Sequence, residues 1–168
     1  PSDLVGVLPF LVAVLGGLVV VLLDAFAAPD TPRPFLGAFA VAFLVIMGAT
    51  AFIGMGAAPQ SAFEGLLVID DFGRFLSVLF AIAAALSALV AMGRMPDSGA
   101  AKGEFYALLL FATGGASLLA QAVDMIAVFI ALECLSIPAY IMAATLRRDP
   151  RSAEAGFKYF VLGAFATG

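Results

Sequence analysis

The chain has 168 residues, of which 64% are hydrophobic and only 12% are charged, and its mean hydropathy is +1.14. This composition predicts an integral membrane protein and excludes a soluble domain. The chain has no histidine and a single cysteine, Cys134, which excludes a disulfide framework, a CxxC motif and histidine ligation of haem or a transition metal. The few basic residues form no patch, so nucleic acid is not an expected partner.

Helix 1 is predicted over residues 4–23, an uncharged run long enough to cross the hydrocarbon core of a membrane. A cleaved signal peptide is the alternative, because residues 25–27 read Ala-Phe-Ala, a small-x-small pattern. However, no basic residue precedes the run, and the run is longer than the usual core of a signal peptide. Three prolines in residues 27–34 end this helix, and helix 2 is predicted over residues 35–58.

The longest predicted non-helical stretch is residues 59–74. Its sequence LLVI followed by DDFG predicts a short strand and a turn on the membrane surface. Helix 3 is predicted over residues 75–93, where many small residues favour close helix packing. A polar loop over residues 94–104 then precedes helix 4, predicted over residues 105–120.

Helix 4 carries the small and hydroxylated sequence TGGAS at residues 113–117. We interpret it as a close-packing face. The alternative is that its hydroxyl groups line a hydrated path. A tight hairpin is predicted to connect helix 4 to helix 5.

Helix 5 is predicted over residues 124–146, with Asp124 placed to cap its N-terminus. Glu133 is the only charged residue after Asp124 in this helix. At about 1.5 Å per residue, Glu133 lies about 13 Å from Asp124 and about 21 Å from Arg147, which is near the middle of a bilayer. A charge at that depth costs roughly 2.5–3.5 kcal/mol. We therefore expect Glu133 to face a protein interior or water and to have a partner or a protonation task.

Two further features surround Glu133. Pro138 lacks the N–H group that would bond the Cys134 carbonyl, so an acceptor for water or a polar side chain is expected one residue from the carboxylate. The 3.6-residue period also places Glu133 on one stripe of helix 5, which we expect to face water or polar groups. The other members of this stripe are Phe129, Ile130, Ser136, Ile137 and Tyr140.

Helix 6 is predicted over residues 152–168, with Ser152 as its cap and Glu154 in its first turn. The apolar segment is short, so we expect it to continue in a longer chain. Lys158 falls about 10 Å inside the membrane boundary and about 10 Å from Glu133 along the membrane normal. At an effective dielectric constant of about 20, unit charges at this distance interact by roughly 1.7 kcal/mol, which is the scale of a proton relay. The structural alternatives are a neutral Glu133 hydrogen-bonded between helices, and a Lys158 that extends to the membrane interface.

The basic residues predict the orientation. The N-terminus, the loop between helices 2 and 3 and the link between helices 4 and 5 share one predicted face, which holds only Arg74. By the positive-inside rule the opposite face is cytoplasmic and the N-terminus lies outside. That opposite face carries Arg33, Arg94, Lys102, Arg147, Arg148 and Arg151.

Three segments of the chain resemble a known family. They read FYALLLF at residues 105–111, ALECLSIPAY at residues 131–140 and EAGFKYFVLGAF at residues 154–165. These strings resemble the N-type antiporter-like membrane subunit of bacterial respiratory complex I, the NADH:quinone oxidoreductase. Weaker agreement, including DFGRF at residues 71–75, extends the resemblance over essentially the whole chain. Sister subunits and Mrp-type cation/proton antiporters keep the glutamate and a nearby lysine in different flanking sequence.

The predicted elements give a single all-α integral membrane domain over residues 1–168, with five transmembrane helices and the start of a sixth. The resemblance implies that these helices begin a 14-helix fold with two inverted repeats. It further implies a proton-pumping role in a bacterial inner membrane, with Glu133 as a relay residue. The distance estimated above adds Lys158 as a second expected relay residue. The family's helix 7 lysine and the charged residues of its helices 8 and 12 have no counterpart in these 168 residues.

The partners implied by the resemblance are the other membrane-arm subunits of complex I, the lipid bilayer, protons and water. No flavin, iron–sulfur cluster, haem or metal is expected in this chain, so NADH oxidation would take place elsewhere in the complex. Two alternatives remain open at this stage. One is a subunit of an Mrp-type cation/proton antiporter, and the other is a structural membrane subunit without a transport role.

Overall fold

The computed structural model describes residues 2–27, 34–98, 102–146 and 149–167. Within these ranges the protein is mostly helical, with a two-stranded antiparallel sheet, which confirms the predicted helical class. The elements in chain order are α1 (Ser2–Gly6), α2 (Leu8–Phe26), α3 (Pro34–Ile53), β1 (Gln60–Ala62), β2 (Leu67–Ile69), α4 (Asp71–Ser98), α5 (Lys102–Leu119), α6 (Met125–Ala143) and α7 (Pro150–Thr167).

Helices α2 to α7 correspond to the six predicted helices. By length and hydropathy, α2, α3, α4 and α6 could each cross a membrane. The apolar part of α5, Gly103–Leu119, is shorter. Helix α5 packs against α2 and α6 and also contacts α3 and α4, whereas α7 packs on α6. The main core is formed by Ala13, Val20, Leu36, Ala40, Leu44, Met47, Ala81, Ala84, Ala88, Ala91, Tyr106, Ala107 and Leu110.

The first two helices differ from their predicted bounds. Predicted helix 1 is divided at Val7 into α1 and α2, because Pro9 lies in the first turn of α2, where its missing N–H group is tolerated. Predicted helix 2 ends at Ile53 instead of residue 58. Gly56 follows with φ of +83°, a left-handed conformation that ends helices. Its N–H group donates to Asp71 Oδ1 at 2.9 Å.

Helix α4 is longer than predicted at both ends. It begins at Asp71, because Asp70 caps it by accepting a hydrogen bond on Oδ1 from the Gly73 N–H group at 2.8 Å. The predicted turn at residues 70–73 is therefore wrong, since the aspartate acts as a helix cap. The helix continues to Ser98, and α5 begins at Lys102. Most of the predicted polar loop is thus helical, and residues 99–101 lie outside the described residues.

The predicted strand forms and organises one face of the protein. β2 pairs with β1 in the register Gln60↔Ile69, Ser61↔Val68 and Ala62↔Leu67. The α5–α6 link joins the same sheet edge through an isolated antiparallel bridge between Leu67 and Ala122.

The N-terminus meets this face as well. The Phe63 N–H group donates to Asp3 Oδ2 at 3.1 Å. The N-terminus, the α3–α4 connection and the α5–α6 link therefore share one face, as the succession of helices predicts.

The bounds of the last two helices also need correction. Asp124 caps α6 by accepting a hydrogen bond from the Ile126 N–H group at 2.8 Å, as predicted, but α6 ends at Ala143. Helix α7 begins at Pro150, where Asp149 Oδ1 accepts from the Arg151 N–H group at 2.9 Å.

Ser152 does not cap α7. Its hydroxyl donates to Ala143 O at 3.0 Å and accepts from the Leu146 N–H group at 3.2 Å, so it caps the C-terminus of α6.

The predicted cytoplasmic face is only partly described. Of its basic residues, Arg33, Arg147 and Arg148 lie outside the described residues.

Candidate functional site

Glu133 is half-buried and is the only charged residue of α6. Its Oε1 atom lies 3.4 Å from the hydroxyl oxygen of Thr167 in α7. This contact is longer than the roughly 2.5–3.0 Å that is usual between a hydroxyl group and an oxygen acceptor. The same hydroxyl lies 3.1 Å from Gly163 O, one turn earlier in α7. The carboxylate is therefore held loosely by a hydroxyl group that has a second acceptor within reach.

The α6–α7 pair is an antiparallel hairpin whose register brings Thr167 to Glu133. Gly156 lies against Ala144, and a Cβ atom added at Gly163 would overlap the Tyr140 hydroxyl group. The Tyr140 ring packs edge-on against Tyr159 and Phe160, with ring centroids 4.8 and 5.9 Å away. The two glycines and the tyrosine thus fix which residues of the two helices face each other.

Lys158 does not lie beside Glu133 within the described part of the chain. Its side chain is 68% exposed, and its Nζ atom pairs with Glu154 at 2.5 Å. The hairpin register places Lys158 near residue 143, about 15 Å from Glu133 along the helix axis. The physical reason is that α7 packs through Gly156, Gly163 and Thr167, and the 3.6-residue period puts Lys158 on the opposite side of the helix.

The predicted stripe around Glu133 forms part of the outer surface of α6. Phe129, Ile130 and Ile137 are 51%, 50% and 48% exposed. Ser136 is half-buried, and Tyr140 is buried against α7. Within the described chain, Glu133 therefore lies beside a partly open apolar surface rather than in the interface with α5.

The other side of α6 packs tightly on α5. A Cβ atom at Gly115 would lie 2.5 Å from Leu135 N and 2.6 Å from the carbonyl carbon of Cys134. The neighbouring Gly114 lies against Ala13 of α2. The segment at residues 113–117 is thus a close-packing face, as predicted. The backbone of α5 at Gly115 therefore lies against the Cys134 carbonyl group. This is the carbonyl group that the sequence predicts to lack a bond from Pro138.

The hydroxyl groups of this region bond to protein atoms. Ser77 donates to Gly73 O at 2.8 Å and is 2.6 Å from the Ser117 hydroxyl, while Thr113 donates to Leu109 O at 2.6 Å. These bonds favour packing over a hydrated path. Nearby, Gln121 Oε1 is buried and has no hydrogen-bond partner within the described parts of the chain.

The serine pair leads to a stability prediction. We expect Ser77→Ala to lower the free energy of unfolding by about 1–2 kcal/mol, because the buried Ser117 hydroxyl loses its partner. The double variant Ser77→Ala/Ser117→Ala should cost less than the sum of the two single variants, because both partners leave together. Thermal unfolding of the detergent-solubilised protein measures these effects, with Ser87→Ala on the exposed side of α4 as control. Additive losses would show that the two serines do not stabilise each other.

Two features of the structure were not predicted as part of a site. Thr167 was missed, although its position follows once Gly156 and Gly163 are recognised as the packing face of α7. Arg74 is 8% exposed and donates from Nη1 to Ala57 O at 3.0 Å and to Asp71 Oδ1 at 3.1 Å, so it closes the loop after α3. Among the described residues there is no group of three or more His, Cys, Asp or Glu side chains that could hold a metal ion.

Comparisons with known proteins agree with the resemblance read from the sequence. The family model described as "NADH:quinone oxidoreductase/Mrp antiporter, TM" matches residues 122–168. The protein named NADH-quinone oxidoreductase subunit N from Myxococcus xanthus is 37% identical over 166 residues, which is 99% of this chain and 32% of that protein. The protein of the same name from Rhodospirillum rubrum is 38% identical over 164 residues, 96% of this chain and 33% of that protein.

The fold is shared with a solved structure. A chain of "Respiratory complex I from Thermus thermophilus with bound Aureothin" matches with a TM-score of 0.75 at 26% identity, covering 95% of this chain and 34% of that chain. The present chain thus spans about a third of the length of the curated relatives that it matches. Over nearly its whole length, the chain is similar to proteins named NADH-quinone oxidoreductase subunit N and to a chain of a respiratory complex I.

Proposed function

We propose that the chain is part of a proton-translocating, antiporter-like subunit in the membrane arm of an NADH:quinone oxidoreductase, and that Glu133 takes up and releases protons there. The observation that carries the proposal is a half-buried carboxylate within α6, a span of mean hydropathy 2.1. A charge deep in a membrane costs roughly 2.5–3.5 kcal/mol and usually serves a function. The named relatives supply the complex in which that function would operate.

The surroundings of Glu133 suit a group that changes its protonation state. One carboxylate oxygen lies 3.4 Å from the Thr167 hydroxyl, and the stripe beside it is partly open. A loosely held carboxylate can exchange its proton with water or with a charged group that approaches it. The chain itself would contribute proton movement, and NADH oxidation would belong to other subunits.

We assign Lys158 a more distant role in the same relay. At about 15 Å and an effective dielectric constant of about 20, two unit charges interact by roughly 1.1 kcal/mol. Lys158 would therefore reach Glu133 only through intervening water, and its ion pair with Glu154 would have to break when the Lys158 charge takes part in the relay.

Proton pumping by the assembled complex, compared between the wild-type chain and Glu133→Gln, tests the relay. Equal pumping by the two would overturn it.

We further propose five transmembrane helices and the start of a sixth in a bacterial inner membrane, as the beginning of a 14-helix fold with the N-terminus outside. In a Cys134→Ser background, a membrane-impermeant thiol reagent applied to intact cells should label Ser61→Cys, which lies in β1. Arg151→Cys, at the start of α7, should react only after the membrane is permeabilised. Labelling of Arg151→Cys from outside would contradict this orientation.

The rival transport function is a subunit of an Mrp-type antiporter, which the description of the matching family model also covers. The relatives named subunit N favour complex I. We expect the full-length native chain to co-purify with quinone-reductase subunits. Purification with antiporter subunits, and never with quinone-reductase subunits, would favour the Mrp-type alternative.

A further inference from the structure

Thr167 can form a hydrogen bond with Glu133 in either protonation state of the carboxyl group. A threonine hydroxyl has one hydrogen to donate and two lone pairs to accept. The Thr167 oxygen lies 3.4 Å from Glu133 Oε1 and 3.1 Å from Gly163 O. When Glu133 is neutral, its O–H group can donate to Thr167 while Thr167 donates to Gly163 O. When Glu133 is ionised, the threonine hydrogen can turn towards the carboxylate.

We propose that Thr167 is a positioning residue for Glu133, whose hydroxyl exchanges its donor and acceptor roles as Glu133 gains and loses a proton. The inference rests on the proposed relay function of Glu133. Only the hydroxyl hydrogen needs to rotate, because both oxygen acceptors are already within reach. Gly163 O is a helix carbonyl, so its backbone hydrogen bond in α7 does not depend on the threonine hydroxyl. The exchange therefore requires no movement of either helix.

A purely structural reading of Thr167 is that its hydroxyl bonds only to the carbonyl one turn earlier, as threonines in helices often do. Thr113 gives the matched comparison, because it makes this bond to Leu109 O at 2.6 Å. The equivalent distance for Thr167 is longer, 3.1 Å. The longer bond is what a hydroxyl shared between two acceptors would show.

Within the described parts of α5 and α7, the charged residues lie at a different level of the helices from this contact. The charged groups of the two helices that pack on α6 are Lys102 and Glu104 in α5, and Arg151, Glu154 and Lys158 in α7. By the antiparallel registers of these helices they lie beyond the level of Tyr140, more than about 10 Å from Glu133 along the axis. At the level of Glu133, the described part of α7 presents the Thr167 hydroxyl to the carboxylate.

The test uses the full-length chain in its assembled complex, reconstituted in proteoliposomes. Thr167→Val keeps the shape of the side chain and removes the hydroxyl group. It should slow redox-driven proton pumping by about 2- to 10-fold, which is the effect of one net hydrogen bond. Thr167→Ser keeps the hydroxyl and should restore most of the rate, whereas Thr113→Val should pump as the wild type does. If Thr167→Val does not assemble, Thr167→Ala carries the same expectation.

A Glu133→Gln background separates positioning from structure. If Thr167 acts through the Glu133 proton, Thr167→Val should not slow the NADH oxidation that remains in Glu133→Gln. An equal slowing in both backgrounds, or normal pumping by Thr167→Val, would overturn the inference. If Glu133→Gln reduces pumping but Thr167→Val pumps normally, the positioning role of Thr167 is overturned, whereas the relay function of Glu133 stands. Normal pumping by Glu133→Gln would overturn the relay itself.

Discussion

Proton pumping by the full-length chain in its assembled complex is expected to fall by about 100-fold or more when Glu133 is replaced by glutamine, the scale of losing a general acid–base group. Glutamine keeps the size of the side chain and can still form a hydrogen bond with Thr167, so assembly should be preserved. It cannot gain and lose a proton. NADH oxidation should fall to the extent that it is coupled to pumping.

Two further variants interpret that result. Glu133→Asp keeps the titratable carboxyl group but withdraws it by one methylene group, so it should pump better than Glu133→Gln. Glu64→Gln removes a carboxylate from the exposed turn before β2 and should leave pumping unchanged. Normal pumping by Glu133→Gln combined with failed assembly of Glu133→Ala would make Glu133 a packing and hydrogen-bonding residue.

The α5–α6 contact is expected to be the least tolerant of substitution. A Cβ atom at Gly115 would lie 2.5 Å from Leu135 N and 2.6 Å from the Cys134 carbonyl carbon. Both are backbone atoms of α6 and cannot turn aside, so relief requires the helices to separate. We expect Gly115→Ala to lower the free energy of unfolding by about 1–3 kcal/mol. Gly115→Val should prevent recovery of folded protein.

Gly93 in α4 is the matched control, because a Cβ atom added there would meet no atom of the described residues within 4 Å. Gly93→Ala should be neutral or stabilising by up to about 1 kcal/mol, through the higher helix propensity of alanine. Thermal unfolding in detergent, followed by size-exclusion chromatography, compares the variants. Equal stability of Gly115→Ala and Gly93→Ala would show that α5 and α6 do not depend on this close contact.

The helical spans could be predicted because each apolar run must satisfy its backbone hydrogen bonds internally to cross a membrane. The Asp124 cap could be predicted because it is local: the aspartate accepts a hydrogen bond from the N–H group of Ile126, two residues later. Local signals were less decisive at Asp70 and Asp71. The pair was compatible with a turn, but Asp70 caps α4 and Asp71 accepts a hydrogen bond from the distant Gly56.

The position of Glu133 along α6 could also be predicted, because it depends only on residue count within one helix. The placement of Lys158 could not be predicted from hydropathy, since hydropathy does not show which side of α7 packs on α6. Gly156 and Gly163 decide that side. With these glycines against α6, Lys158 lies on the opposite side of α7, where it pairs with Glu154, and Thr167 lies beside the Glu133 carboxylate. The site therefore depends on a contact between two helices.

Infrared difference spectra of the assembled complex, recorded between the oxidised and the NADH-reduced states, would follow the protonation of Glu133 itself. We predict a carboxyl C=O band that changes between the two states in the wild type and in Thr113→Val, and that is absent in Glu133→Gln. The Glu133→Asp variant should retain the band at a displaced position. Identical difference spectra for the wild type and Glu133→Gln would contradict the account, because Glu133 would then keep the same proton occupancy throughout.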